Sequence, residues 1–310
     1  MTVVNLSLKL LIFIAVGFCC RKLRVFADGF DKMLSKFVLA VPIPCMIIKS
    51  FNVEFSIDQL LDCPVVLGLS LVSMAVCFVV GHLVYLKTGR SDVGKAARFG
   101  LMFTNFTFFG MPVVEELYGS QGIFYYVIFT LPIRVVFYGM APILLGVRGE
   151  KTDWNLVLRQ CFCPPVIAVF IGVFFYVLQI QLPGVLNDAL VSIGNIASPL
   201  GLMLCGTIIA DADWRGVLKK PAVLWTTLAR LLLMPAVVLG VMLLMRIDKM
   251  IINSVIFFFA MPMASLQPMY YLRYNPDSVE GREVSGFMVI LSTFLCIFTI
   301  PIWATIMQHI

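Results

Sequence analysis

An all-α membrane fold is predicted by three observations. The chain is more apolar than a soluble domain, it contains ten apolar runs long enough to cross a bilayer, and Lys and Arg concentrate in alternate connections. Of its 310 residues, 61% are apolar and 13% charged, whereas soluble domains average roughly 45–50% and about 25%. A chain of this length needs a polar exterior in water, so the surplus apolar surface must meet lipid. The net charge is +6. Its basic residues fall in short loops between apolar runs, a pattern of membrane topology rather than of a nucleic-acid footprint.

Crossing a ~30 Å hydrocarbon core takes about 20 helical residues. Ten stretches qualify: 3–20, 33–51, 64–86, 97–118, 122–147, 158–179, 189–210, 222–245, 250–272 and 284–307. The first is followed, not preceded, by basic residues (Arg21, Lys22 and Arg24) and has no small-residue cleavage site. It reads as an uncleaved span with its N-terminus outside, not as a signal peptide. The connections are about 12 residues or shorter, so residues 1–310 form a single membrane domain.

With the N-terminus outside, the inner connections collect seventeen basic residues, from Arg21 to Arg282, and the outer ones only Lys9, Lys49, Arg246 and Lys249. That asymmetry obeys the positive-inside rule through both halves. It predicts a multi-pass protein of the cytoplasmic (inner) membrane with both termini extracytoplasmic and the 148–157 loop inside.

An internal repeat is visible in the prolines. Pro42 in span 2 answers Pro199 in span 7, Gly110-Met111-Pro112 in span 4 answers Ala260-Met261-Pro262 in span 9, and Pro142 in span 5 answers Pro301 in span 10. The offsets are 157, 150 and 159 residues. Five spans per half is odd, so the halves 1–147 and 158–310 are expected to be inverted repeats. Such repeats give transporters two alternative packings. Chance is the alternative, because proline is common in membrane helices.

Span 4 reads Phe103-Thr104-Asn105-Phe106-Thr107-Phe108-Phe109-Gly110-Met111-Pro112. Gly110 and Pro112 disfavour a continuous helix, and Pro262 and Pro268 do the same in span 9. Backbone groups freed in lipid must find partners or line a wet cavity. Two broken helices meeting at mid-depth would aim half-helix N-termini, expected at Pro112 and Pro262, into one cavity suited to an anion. Asn105 would give amide donors to a carboxylate there; its other role would be to join two helices. The second half has Val255 at the equivalent position, so Ser265 and Gln267 are expected to substitute.

Arg134 in span 5 and Arg230 in span 8 lie inside apolar runs, where a charge persists only facing protein or water. Arg134 would bind the anion, stand in for a sodium ion, or clamp carbonyls freed by Pro132. Arg230 reads as structural. Among the acids, Asp211 and Asp213 end span 7, and Glu115 and Glu116 end span 4. Glu115 is the candidate for coupling, against a solvated helix end. His82, at the inner end of span 3, is the second, against an interfacial histidine. Nine scattered cysteines, including the non-motif pair Cys161 and Cys163, and only His82 and His309 give no metal or haem site. No cofactor is expected beyond a coupling H+ or Na+.

The stretch from Asn105 to Gly122 (NFTFFGMPVVEELYGSQG) resembles the fourth span of the auxin efflux carrier family. Ala197-Ser198-Pro199-Leu200 through Gly206 resembles its seventh, Met261-Pro262 to Tyr274-Asn275-Pro276-Asp277 its ninth, and the Arg24–Pro42 region its start. The resemblance covers essentially the whole chain. It implies a ten-span fold shared with plant auxin carriers and, more distantly, bile-acid/sodium symporters. Spans 1, 2, 6 and 7 would form a homodimerising scaffold, and spans 3–5 and 8–10 a moving transport domain. Broken spans 4 and 9 would cross at a small organic anion such as auxin or a dicarboxylate. The long cytoplasmic loop of the plant carriers is absent, so the resemblance is to a short, prokaryote-like member.

The functional expectation is a secondary transporter of a small organic anion working by alternating access, elevator-like. The alternative is a membrane sensor or channel-like protein on the same fold. An intramembrane enzyme has no support, since the chain lacks paired intramembrane acids, a His-x-x-x-His motif and a Ser/His dyad at mid-depth.

Overall fold

A computed structural model describes every residue except 1–2, 28, 53–55, 146–161, 181, 211–219 and 276. Asp211, Asp213, Cys161, Pro276 and the 148–157 loop lie outside the described residues. The described ones are helical, apart from turns, connections and a single β-bridge between Thr104 and Met263.

The expected first span is α1 (Val3–Lys22). The second is a pair, α2 (Phe30–Ala40) and α3 (Pro42–Phe51), bent at Val41. Pro42 starts the second helix, where its missing N–H costs nothing. Next comes α4 (Ile57–Lys87), capped by Ser56 accepting from Gln59 N. α5 (Asp92–Met102) is capped by Ser91 accepting from Gly94 N. Residues 103–105 are not helical, and a π-turn at Phe106–Gly110 then leads into α6 (Met111–Leu145). α6 is interrupted at Gly119, with φ 61° and ψ −154°, a conformation open essentially to glycine.

α7 (Pro164–Leu178), α8 (Gly184–Asn195) and α9 (Ala197–Ala210) follow. α10 (Pro221–Leu228) runs through a second π-turn, Ala229–Leu233, into α11 (Met234–Leu244). α12 (Lys249–Ala260) stops before Pro262, the chain stays non-helical to Leu266, and α13 (Gln267–Tyr274) precedes α14 (Val279–His309).

Among the described residues, six helical stretches are long and apolar enough to cross a membrane: Met33–Phe51, Ile57–Lys87, Phe106–Phe137, Gly184–Thr207, Pro221–Leu244 and Val279–His309. Two further apolar helices, Pro164–Leu178 and Lys249–Ala260, are shorter. Part of the difference from the ten expected runs has visible causes. The fourth and ninth runs are each broken, and the second half of the fourth is merged with the fifth across Gly119.

The helix packing can be followed in two groups that touch one another. In one, α1 lies along α9, and α3 packs on α7 and α8. The α1–α9 approach depends on glycine: a Cβ on Gly17 would stand 2.0 Å from Met203 O, and one on Gly206 2.1 Å from Ile14 O. Small residues of this kind let membrane helices close to backbone contact. In the other group, α5 packs on α4 and α14, and α6 on α4 and α12. The groups meet where α3 touches α6, where α9 touches the first π-turn and α6, and where α1 and α9 touch α14. They are also tied by ion pairs from Lys9 to Glu116, 2.7 Å, and from Lys49 to Glu115, 2.9 Å.

Candidate functional site

Proline chemistry explains both breaks. Pro262 has no N–H to give Phe258 O, so α12 cannot continue. In α5 the last helical bond is Phe103 N to Phe99 O, 2.9 Å. Two residues on, Asn105 N bonds Pro262 O at 2.8 Å, and Ala264 N bonds Phe103 O at 3.3 Å. The two interruptions therefore run antiparallel with Thr104 opposite Met263, and each supplies backbone partners that the other lacks. In lipid an unpaired backbone group costs several kcal/mol, which makes the pairing a condition of the breaks.

Asn105 caps the helix that follows. Its Oδ1 accepts from Phe108 N at 3.2 Å, and its carbonyl accepts from Phe109 N and Gly110 N at 3.2 and 3.0 Å. Its amide Nδ2 faces Sγ of Cys205 on α9 at 3.8 Å. A thiol is a weak acceptor, so this amide keeps donor capacity for a stronger one.

The half-helix N-termini expected at Pro112 and Pro262 stand elsewhere: one at Asn105, the other at Leu266, with Pro268 in the first turn of α13. Pro112 lies inside a continuous helical segment. The π-turn just before it widens the helix where a proline ring would otherwise crowd the carbonyl four residues back. Pro235 follows the second π-turn in the same way. Pro112 and Pro262 are therefore not equivalent, and the Val255 mate drawn from them fails. The residue facing Thr104 is Met263.

Both N-termini border one cavity of about 40 Å³, lined by Thr104, Asn105, Phe106 and Thr107 from one break and by Ala264, Ser265 and Leu266 from the other, among other residues. Leu39 of α2 and Phe137 of α6 complete its wall. It has room for about one water, whose share of liquid volume is ≈ 30 Å³. Ser265 is part of that lining. Gln267 is not: its Nε2 donates to Ala96 O (2.8 Å) and Ser285 Oγ (3.1 Å), tying α13 to α5 and α14. Gly110 does not line the cavity either. A Cβ there would stand 2.0 Å from Tyr126 Oη, so the glycine makes room for the hydroxyl that donates to Phe106 O.

Arg134 is 1% exposed. Its guanidinium lies 4.7 Å from the centre of the Phe106 ring, and Nη2 is 3.8 Å from Met111 Sδ. It therefore sits beside the first turns of the capped half-helix. Arg98, counted among the loop cations, is buried: it stacks 4.4 Å from the Tyr85 ring centre and donates to Leu144 O at 2.7 Å, near the end of α6. Arg230, also buried, donates to Leu101 O and Phe258 O. Among the described residues, the buried polar side chains thus include three arginines and no aspartate or glutamate.

Glu115 is engaged by Lys49 and by the Ser198 hydroxyl at 3.1 Å, far along the helix from the cavity it was expected to serve. His82 stacks on Phe78, ring centres 5.7 Å apart, and does not reach the crossing. At the other end of α5, Tyr271 Oη donates to Asp92 O, and the Ser278 hydroxyl and Lys95 engage the Asp92 carboxylate. Burial pushes that carboxyl up, and these two partners outweigh it, leaving it below the ordinary value. Sequence reasoning missed Thr104, Phe137, Leu39 and Cys205. Only Thr104, next to Asn105, carried any signal.

A helical membrane protein whose two interrupted helices cross at a polar centre has the build of a transporter. The family model for membrane transport proteins matches residues 2–304, and the chain belongs to that family, the auxin efflux carriers. It is similar to an uncharacterized transporter of Methanothermobacter thermautotrophicus, 22% identical over 306 residues that cover 97% of each chain. It is likewise similar to an uncharacterized transporter of Methanocaldococcus jannaschii, 22% identical over 325 residues, 98% of this chain and 99% of the relative.

Proposed function

We propose that this protein is a secondary active transporter that carries a small organic carboxylate by alternating access. The observation that carries the proposal is that both half-helix N-termini border one cavity. Their dipoles place partial positive charge there, Asn105 offers amide donors, and Arg134 stands beside Phe106 of the lining. An anion entering such a low-dielectric centre meets fixed dipoles of the right sign. A proton or sodium ion compensates its charge when uptake runs against the membrane potential.

In this reading the helical stretches make ten spans arranged as two inverted five-helix repeats, with the Thr104–Met263 pair near the axis that relates them. α1, α2, α3, α7, α8 and α9 are the scaffold, which pairs with a second copy through spans 1, 2, 6 and 7, and the remaining helices are the transport domain. Leu39 belongs to the scaffold and closes the cavity from that side. Sliding of the transport domain past Leu39, elevator-like, enlarges a space that now has room only for water.

Transport is tested by counterflow in proteoliposomes preloaded with succinate or indole-3-acetate. Label should accumulate transiently; binding without counterflow would point to a sensor on the same fold. Topology in the inner membrane is tested separately with single cysteines in a cysteine-free background and an impermeant maleimide in intact cells. A cysteine at position 2 should label and one at position 152 should not, and the opposite pattern overturns the orientation.

A further inference from the structure

We propose that Arg230 is a positioning residue that holds the two α-helices entering the crossing at a fixed mutual distance, and so keeps the two N-termini facing one cavity. The proposal rests on reading the crossing as the transport site. Arg230 Nη1 donates to Leu101 O at 2.7 Å and Nη2 to Phe258 O at 3.0 Å. Those two carbonyls belong to the last turns of α5 and α12, and each has lost its helical donor for an identifiable reason. The partner of Phe258 O would be the amide of residue 262, which is proline. The partner of Leu101 O would be Asn105 N, which is committed to Pro262 O. One guanidinium replaces both missing donors.

The chemistry selects arginine. A planar fork presents donors in fixed directions to two acceptors at once, whereas a lysine ammonium is a point charge on a flexible stem. Both acceptors are helix C-termini carrying partial negative charge, so the cation is also favoured electrostatically. The ring centres of Phe258 and Phe259 lie 5.5 and 5.8 Å from the guanidinium carbon. The π-turn that carries Arg230 is itself held from outside. Leu231 O would pair with residue 235, again proline, and receives Trp303 Nε1 of α14 at 2.9 Å instead. Arg230 does not border the cavity. It acts on substrate only through the backbone that it joins.

The test is hydrogen exchange of the substrate-free protein, read on peptides covering 103–106 and 262–265 with a peptide from the middle of α4 as control. Arg230→Lys keeps the charge and removes the fork. It should speed exchange at both crossing peptides at least tenfold, leave α4 unchanged, and raise the KM for succinate at least tenfold in proteoliposomes. Arg230→Gln, a second variant without the charge, should do the same. Native exchange at the crossing in Arg230→Lys overturns the proposal. So does equal acceleration in α4, which would mark a general folding role. Because exchange is read without ligand, a native protein that fails to bind succinate would sink the carboxylate reading and leave this result to stand by itself.

Discussion

Replacing Asn105 with alanine is expected to weaken carboxylate binding about 10- to 100-fold while the protein remains folded. The side chain has two jobs that pull apart under substitution. As a cap it accepts from Phe108 N, and losing a cap typically costs about 1 kcal/mol. As a donor it would meet an ionised acceptor, an interaction worth ≈ 1.5–3 kcal/mol, hence roughly 10–100-fold at 1.4 kcal/mol per decade. Asn105→Ser separates the jobs, since serine caps about as well as asparagine but has no amide. The serine variant should melt near the native temperature and bind succinate as poorly as the alanine variant. Native affinity in Asn105→Ser would assign the asparagine to capping alone.

Arg134→Leu is the second large effect. The guanidinium lies against the face of Phe106, a residue that lines the cavity, so its charge acts on an anion from about one ring's breadth away. At roughly 8 Å and an effective dielectric constant near 20, that attraction is ~2 kcal/mol, or about 30-fold in affinity. Arg134→Lys keeps the charge and should recover part of the loss. Titration of each variant with succinate, beside a thermal melt, reads both quantities. Unchanged affinity in Arg134→Leu would leave Arg134 as packing for Phe106 and Met111.

Some of this was legible in the sequence. Apolar runs and loop charges give a membrane class because they follow from transfer free energy, which needs no tertiary information. The breaks were legible too, since Pro262 removes a donor wherever it stands. The exact site of a break was not. Pro112 looked like the counterpart of Pro262, but a π-turn absorbs it, and the interruption falls at Phe103–Asn105, where the lost bonds are replaced from the other half of the chain. Such replacement is a tertiary event. The same holds for Gln267, which ties helices together, and for Arg98, which reads as a loop cation but caps α6. The place of Asn105 and Ser265 beside the breaks was legible because a polar side chain there is costly in lipid without a partner.

The central claim is that the crossing holds an anion, and transport of a carboxylate against its neutral amide tests it most directly. Proteoliposomes would be assayed for indole-3-acetate against indole-3-acetamide, and for succinate against succinamide, at equal concentration and zero membrane potential. Each pair shares size and shape and differs chiefly in charge. The account predicts a large preference for the carboxylate in at least one pair, because the oriented dipoles and Arg134 gain nothing from an amide. Equal transport of acid and amide in a functioning preparation would contradict it, even with the helical fold as described.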